Sequence, residues 1–440
     1  MLNIKYIREN PEVVRKNLEK RQDKEILSTF DTLLKKDKDY RSLLQQIEKL
    51  RHKRNVVTQE INELKKSGKD FSVKVKEAKS VLKKIRGLEE KLRILKEEVR
   101  NYLMSLPNLL HSSVPFGKDE NDNQVIRIWG KKPKFNFKLK SHGELIQELG
   151  QGNFEKGAEV AGHGFYYLMD KLVLLDLALM KFAIDFLIKK GYTLVEPPFM
   201  LRRRPYEGVT SLEDFETMMY KIENKDLYLI ATSEHPIAAL YMNEILNEDE
   251  LPKKFVGISP CFRQEIGSHG IDTKGLFRVH QFNKVEQFIF CKPEDSWDYH
   301  EELIDNAERL YKKLKLPYRI VNVCTGDIGS VAAKKYDLEV WMPAQGKYRE
   351  MVSCSNCTDW QSYRLNIRYA EERGKPSKGY VHTLNSTAIA TTRAITAIIE
   401  NFQQEDGSVI IPKVLRKYLE PIESAPKEVI KPVNFKKFKK

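Results

Sequence analysis

The stretch Cys261–Gln287, CFRQEIGSHGIDTKGLFRVHQFNKVEQ, reads as two extended runs, around Cys261–Glu265 and Phe277–Phe288. Between them lies a loop with Gly267, Gly270 and Gly275 and a charged turn at Asp272-Thr273-Lys274. This pattern predicts an antiparallel hairpin with a long glycine-rich tip. Its strands would carry Arg263, Glu265, Arg278, His280, Phe282 and Glu286, an unusual density of charge for pleated segments. An arginine fork can hold a phosphate and a carboxylate together. A phenylalanine face can stack on a purine, worth about 1–3 kcal/mol per base. A solvated hairpin with a polar outer face would show the same pattern, so the stretch alone leaves both readings open.

Three other stretches extend the pattern: Ala231-Thr232-Ser233-Glu234, the run YREMVSCSN from Tyr348 to Asn356, and Leu384-Asn385-Ser386-Thr387 running on to Thr391-Thr392-Arg393. FRQE followed by GLFRVHQF and KVEQF resembles the second signature motif of the class II aminoacyl-tRNA synthetases. With GSHG in the loop, the wording is similar to that of the seryl-tRNA synthetase family. Four matches in chain order are specific, whereas a lone FRQE would be weak. The resemblance implies an α+β fold: an N-terminal antiparallel helical coiled-coil arm, and a class II catalytic domain of antiparallel β-sheet flanked by helices.

Composition is compatible with this. A chain of 440 residues can bury one large core plus an appendage. The net charge of +14 predicts attraction to polyanions such as nucleic acid or an anionic membrane surface. Five cysteines are too few for a disulfide scaffold and fit a reducing compartment. Cys354 and Cys357 have CxxC spacing, but no second Cys or His pair nearby completes a tetrahedral zinc site, so packing roles are expected. MLNIKYIREN lacks an apolar signal-peptide core. The most apolar window, Leu172 to Ile188, holds Asp176, Lys181 and Asp185, which argues against a membrane span. A soluble, cytoplasmic protein is expected.

Along the chain, residues 1–37 read as short helices, with Pro11 a first-turn residue after Asn10. Leu43, Ile47, Leu50, Val57, Ile61 and Leu64 then follow steps of three and four, and a second run from Val75 to Leu106 follows the break at Ser67-Gly68-Lys69-Asp70. Two heptad segments joined by a Gly-containing turn predict an antiparallel helical hairpin. About 28 residues per helix would give an arm of roughly 40 Å. Its Lys-rich and Arg-rich faces would keep an exposed coiled coil soluble or touch RNA phosphates, and the periodicity leaves both open. The family resemblance implies that the arm grips the long variable arm of tRNA-Ser. Such contacts are strongly salt-dependent.

The expected domains are a tRNA-binding unit over 1–108, a loop-like connector over 109–166, a catalytic domain over 167–425 and a basic, disordered tail over 426–440. His142 and His163, in the connector, read as structural or surface residues. A helix over about 168–190 followed by GYTLVEPPFM resembles the first class II motif, which in the family forms a homodimer interface.

Site roles come from the resemblance. Arg263 would bridge the amino-acid carboxylate and the α-phosphate, Glu265 would accept from the adenine amino group, and Phe282 would stack on the adenine. Arg278 and Arg393 would bind the phosphates that leave as pyrophosphate. Glu350 and Ser353 would hold Mg²⁺, since oxygen ligands beside phosphates suit that ion. Arg263, Arg393 and Glu350 would be catalytic. The ATP set also takes in Gln264, Val279, His280, Gln281, Met351 and Val352. Thr232, Glu234, Glu286, Asn385 and Thr387 would line the serine pocket with Arg263. Asn385 and Thr387 also read as capping residues ahead of a helix expected over Ala388–Phe402.

The implied activity is serine activation with ATP and transfer to tRNA-Ser, with tRNA-Sec a further substrate where the organism has one. NSTAIATTR departs from the bacterial NGSGLAVGR toward the eukaryotic cytosolic wording, while Cys324–Asp327 and Tyr336–Trp341 lean bacterial, which together suit an archaeal or reduced eukaryotic lineage. The zinc-dependent methanogen form is not matched. Relatives that charge carrier proteins lack the arm. A non-catalytic paralogue would not need Arg263, Glu265, Glu286, Glu350, Ser353 and Arg393 together.

Overall fold

The computed structural model describes residues 1–265, 275–372 and 374–432. Gly267, Gly270 and the Asp272-Thr273-Lys274 turn lie outside the described residues. The chain divides into two compact units, Met1–Pro107 and Asn108–Lys440.

The first unit is built on two long helices, α1 (Lys24–Lys66) and α2 (Ser72–Ser105). α1 contains neither Gly nor Pro, and the Asp23 side chain caps it by accepting from the Glu25 and Ile26 amides. It stops at Gly68, whose φ of +66° is readily adopted only without a Cβ, and Lys69 N there donates to Leu64 O at 2.9 Å. α2 ends before Pro107, with Leu106 extended. Ile47, Val81 and Ile85 form the buried seam, with Leu43, Leu50, Leu88 and Leu92 packed against it. Lys36–Glu98 and Arg51–Glu89, both 2.8 Å, cross between the helices and match their antiparallel register. Near the base the buried Asp37 carboxylate accepts from Arg8 and Arg41.

Two expectations change here. The short helices expected to residue 37 end earlier, because nothing after the Asp23 cap breaks the helix and Phe30 and Leu33 continue its buried face. At 43 and 34 residues, the helices run to roughly 65 and 50 Å at ~1.5 Å per residue. Charge is distributed unevenly. Residues 1–107 hold 28 Lys and Arg against 17 Asp and Glu, so +11 of the chain's +14 sits in this unit.

In the second unit, eight strands among the described residues form one sheet. They are β1 (Gln124–Trp129), β2 (Thr193–Val195), β3 (Lys253–Phe262), β4 (Gln281–Cys291), β5 (Tyr318–Asn322), β6 (Lys334–Met342), β7 (Lys347–Asn356) and β8 (His382–Ala390). Their order is β1-β5-β6-β7-β8-β4-β3-β2, antiparallel except for β2 against β3. Helices α3 (Asp170–Ile188), α4 (Ser296–Leu314) and α5 (Thr391–Asn401) contribute Leu175, Leu179, Leu303, Leu310, Ile395 and Ile398 to the core with Val285, Ile289, Leu338 and Val352 of the sheet.

The expected hairpin is β3–β4, paired from Lys253↔Phe290 to Phe262↔Gln281. Its strands lie further from the tip than expected, so Arg263, Glu265, Arg278 and His280 stand beyond the ladder, where backbone geometry is free to vary. Segment 109–166 is no mere connector: its QVIRIW stretch pairs with β5 as a strand of the main sheet. That pairing joins residues about two hundred positions apart and leaves no local signal. His142 is buried, its Nδ1 2.9 Å from Glu400 Oε1. At the C-terminal end, Val429–Ile430 pairs with Val409–Ile410 within the stretch expected to be disordered from Pro426; residues 433–440 lie outside the described residues.

Candidate active site

A cavity of about 350 Å³ opens over strands β4, β7 and β8, beside the end of β3. Among its lining residues are Thr232, Glu234, Arg263, Glu265, Arg278, Val279, Phe282, Glu286, Glu350, Met351, Ser353, Asn385, Thr387 and Arg393. Residues distant in sequence meet there because their strands are neighbours: Glu286 of β4 sits across the ladder from Thr387 of β8.

One end is a small polar pocket. Glu234 opens the short helix Glu234–Ala238, and its Oε1 accepts from Gln361 Nε2 and Asn385 Nδ2, both at 3.0 Å. Glu286 Oε2 lies 2.6 Å from Lys284 Nζ and accepts from Thr387 Oγ1 at 3.4 Å. Asn385 and Thr387 lie within β8, and α5 begins only at Thr391, so neither caps it. Burial, with the Glu286 charge second, pushes the Glu234 carboxyl up to about 7.

That shift has a sign. A carboxyl raised in the folded state holds its proton more tightly there than in the unfolded chain. The stability it contributes is therefore present below about 4.5 and lost as pH rises to about 7. At 1.36 kcal/mol per unit this amounts to about 3 kcal/mol. Glu234→Gln is expected to raise the unfolding free energy of the ligand-free protein at pH 8 by up to about 3 kcal/mol, with little change near pH 4.5. Denaturant titrations at both pH values check it; an equal effect at both would contradict the assignment.

The middle of the cavity is held by the hairpin ends. Arg263 N donates to His280 O at 3.0 Å, and its guanidinium lies 5.3 Å from the Phe282 ring. Glu265 has a φ of +49°, a left-handed backbone at a non-glycine residue, and its Oε2 accepts from Arg278 Nε at 2.5 Å. His280 stacks on Phe165, and its Nδ1 lies 2.8 Å from Arg263 O and 2.7 Å from the Tyr220 hydroxyl. A carbonyl can only accept, so Nδ1 carries the proton and the ring braces Arg263 from behind.

At the far end, Arg393 Nη1 donates to Glu350 O at 2.9 Å and lies 3.5 Å from its Oε1. Burial works against the Glu350 carboxylate, but Arg393, Lys335 and Arg263 outweigh it and hold its pKa below the ordinary value. Asp337, in register with Ser353, pairs with Lys335 through Oδ2, while its Oδ1 is buried with no hydrogen-bond partner among the described residues.

Four residues of the expected ATP set do not line this cavity. Val352 alternates onto the core face, and Gln264 Nε2 donates away to Met219 O. His280 sits behind Arg263, and Gln281 is exposed at the start of β4. Conversely Lys284, Phe277 and Cys357 line the cavity without having been singled out for it. Lys284 was legible in principle, since it lies two residues before Glu286 on one strand face. Phe277 was not: an apolar residue carries no sign that Arg349 and Arg393 lie 4.1 and 5.1 Å from its ring. Cys354 is buried and donates to His300 O, in keeping with packing, whereas Cys357 receives Asn385 Nδ2 at 3.6 Å and so belongs to the pocket wall.

Comparison with known proteins places the chain in a family. Residues 1–110 match the family model described as the seryl-tRNA synthetase N-terminal domain, and residues 215–402 match the tRNA synthetase class II core domain (G, H, P, S and T). A serine–tRNA ligase of Methanocella arvoryzae is 55% identical over 423 residues, 96% of this chain and 100% of the relative. The crystal structure of seryl-tRNA synthetase from Pyrococcus horikoshii complexed with ATP superposes with a TM-score of 0.93 at 51% identity, covering 99% of this chain and 100% of that one. The cytoplasmic serine–tRNA ligase of Naegleria fowleri in complex with AMP gives 0.84 at 35% identity, covering 97% and 96%. The chain belongs to the seryl-tRNA synthetase family.

Proposed function

We propose that the protein activates L-serine with ATP, forming seryl-adenylate and pyrophosphate, and then transfers serine to the 3′ end of tRNA-Ser, and of tRNA-Sec where one exists. The observation that carries this reading is the single cavity in which a two-carboxylate pocket, three arginines and the Glu350–Ser353 pair stand side by side.

The first step is an in-line attack by the serine carboxylate on the α-phosphate, with pyrophosphate leaving. It asks the protein for positioning and charge compensation. Arg263, between the polar pocket and Phe282, is suited to hold both reacting groups. Phe282 offers a face to the adenine, and Glu265 an acceptor for its amino group. The Glu265–Arg278 pair would then part, freeing Arg278 for phosphate alongside Arg393. In the second step a hydroxyl of the tRNA 3′ end attacks the activated carbonyl and AMP leaves.

Glu350 and Ser353 present hard oxygens beside an orphaned buried Asp337 oxygen, a donor set that fits Mg²⁺. When bound there, the ion would neutralise phosphate charge. Glu234 and Glu286 supply an ammonium partner and a hydroxyl acceptor, and a site built for a hydroxyl rejects an analogue lacking it by about 10⁴–10⁵. That would exclude alanine.

The +11 surplus on the helical unit supports tRNA binding by that arm. Val173 and Leu177 on α3, with Leu194 on the edge strand β2, leave apolar surface exposed and support a homodimer through this face. Among the described residues no helix is long and apolar enough to cross a membrane. The family and the five free cysteines support a cytoplasmic location.

The test is ATP–pyrophosphate exchange with each of the twenty amino acids at fixed Mg²⁺. Exchange with serine alone is expected. Silence with all twenty, in a folded protein that binds ATP, would favour a non-catalytic paralogue.

A further inference from the structure

The polar pocket holds a buried cation that none of the roles above uses. Lys284 is 5% exposed, lines the cavity, and places its ammonium 2.6 Å from Glu286 Oε2. The two pocket carboxylates are thereby made unlike. Glu234 is held by neutral amide donors, Gln361 and Asn385, which orient it and supply no cation, so it ionises readily only when an ammonium arrives beside it. Glu286 is held by an ammonium and a hydroxyl, so it already has a cation in contact.

A zwitterionic amino acid with a hydroxyl needs two different things from such a pocket. Its α-ammonium needs a carboxylate with no cation already in contact, and its hydroxyl needs an acceptor that does not itself draw in a cation. In a site shielded from water, a carboxylate already paired with an ammonium exerts little pull on a second cation, while an unpaired one exerts a strong pull. The same pairing leaves the lone pairs of Glu286 able to accept from a neutral hydroxyl.

We infer that Lys284 is a specificity-determining residue. By neutralising Glu286 it assigns the α-ammonium to Glu234 and the side-chain hydroxyl to Glu286, and it excludes amino acids with a second ammonium in place of the hydroxyl. This inference rests on the serine-activation reading.

The probe is L-2,3-diaminopropionate, which matches serine except for an amine at the hydroxyl position. Exchange is measured for the full-length protein at about pH 6, where α-amines and alkyl amines are protonated. In the wild type the probe should support less than about one hundredth of the serine rate and compete with serine correspondingly weakly. In Lys284→Met, kcat/KM for serine should fall at least about tenfold and KM for ATP stay within about twofold, while the probe-to-serine ratio rises at least about tenfold. A merely structural role would lower both substrates together and leave that ratio unchanged.

If Lys284→Met does not fold, Lys284→Met combined with Glu286→Gln removes both charges of the pair, a change buried ion pairs often tolerate. This double variant should lose serine activity without gaining the probe. Comparable use of, or competition by, the probe in the wild type would overturn the inference, as would an unchanged ratio in Lys284→Met or a gain of the probe in the double variant. Absence of serine exchange in the wild type would instead overturn the proposed function, so the two failures are distinguishable.

Discussion

Arg263→Ala is expected to cut serine-dependent ATP–pyrophosphate exchange by at least about 10²–10³-fold, the usual cost of removing one donor aimed at developing charge. The position explains why the loss should be so large. Arg263 follows the last residue of β3, its backbone is tied to His280, and its guanidinium lies over Phe282, between the carboxylate pocket and the Arg393 end. In the proposed function it would touch the amino-acid carboxylate and the α-phosphate together. Its Nε contact within the protein, 3.5 Å to Ala231 O, is weak, so the substitution should leave thermal stability within about 1 kcal/mol. Near-normal exchange in a folded Arg263→Ala protein would remove this residue from the chemistry and with it the assignment of the whole hairpin.

The second large effect concerns the helical arm. Arg51 and Glu89 face one another across it at 2.8 Å, so residues 52–88 can be excised and the ends joined by a short glycine turn without disturbing the base. The deletion removes 11 Lys and Arg against four Asp and Glu. Exchange should be retained within about twofold, because the described residues that line the cavity all lie from Val209 onward. Transfer of serine to tRNA should fall by about 10²-fold or more at physiological salt, and its salt dependence should flatten, since contacts to phosphate carry that dependence. If exchange and transfer fell together in a folded protein, the arm would not be a separate tRNA grip.

Much of this site was written in short-range order. The alternation that puts Glu286 and Lys284 on one strand face, the wording around Arg263 and the spacing of Glu350 and Ser353 are all local, and all of these residues line the cavity. The helical hairpin was equally legible, because heptad spacing and a glycine break act over a few residues. Its length was not, since helix α1 runs on through residues that look like connecting segments until the Asp23 cap is weighed against the absence of any breaker.

What the sequence alone determined, then, is the order of elements, the arm, and most of the polar residues that meet in the cavity, because periodicity and motif spacing are properties of neighbouring residues. Only the tertiary structure decided that QVIRIW completes the main sheet, that Val429–Ile430 pairs with Val409–Ile410, and that His280 supports Arg263 from behind. It alone decided that Glu265 is paired with Arg278, and that Lys284 pairs with Glu286 while Glu234 is held by neutral amides. These are long-range pairings. Their energies come from burial and from charges brought together across strands, and no window of the chain contains both partners and the dielectric that surrounds them.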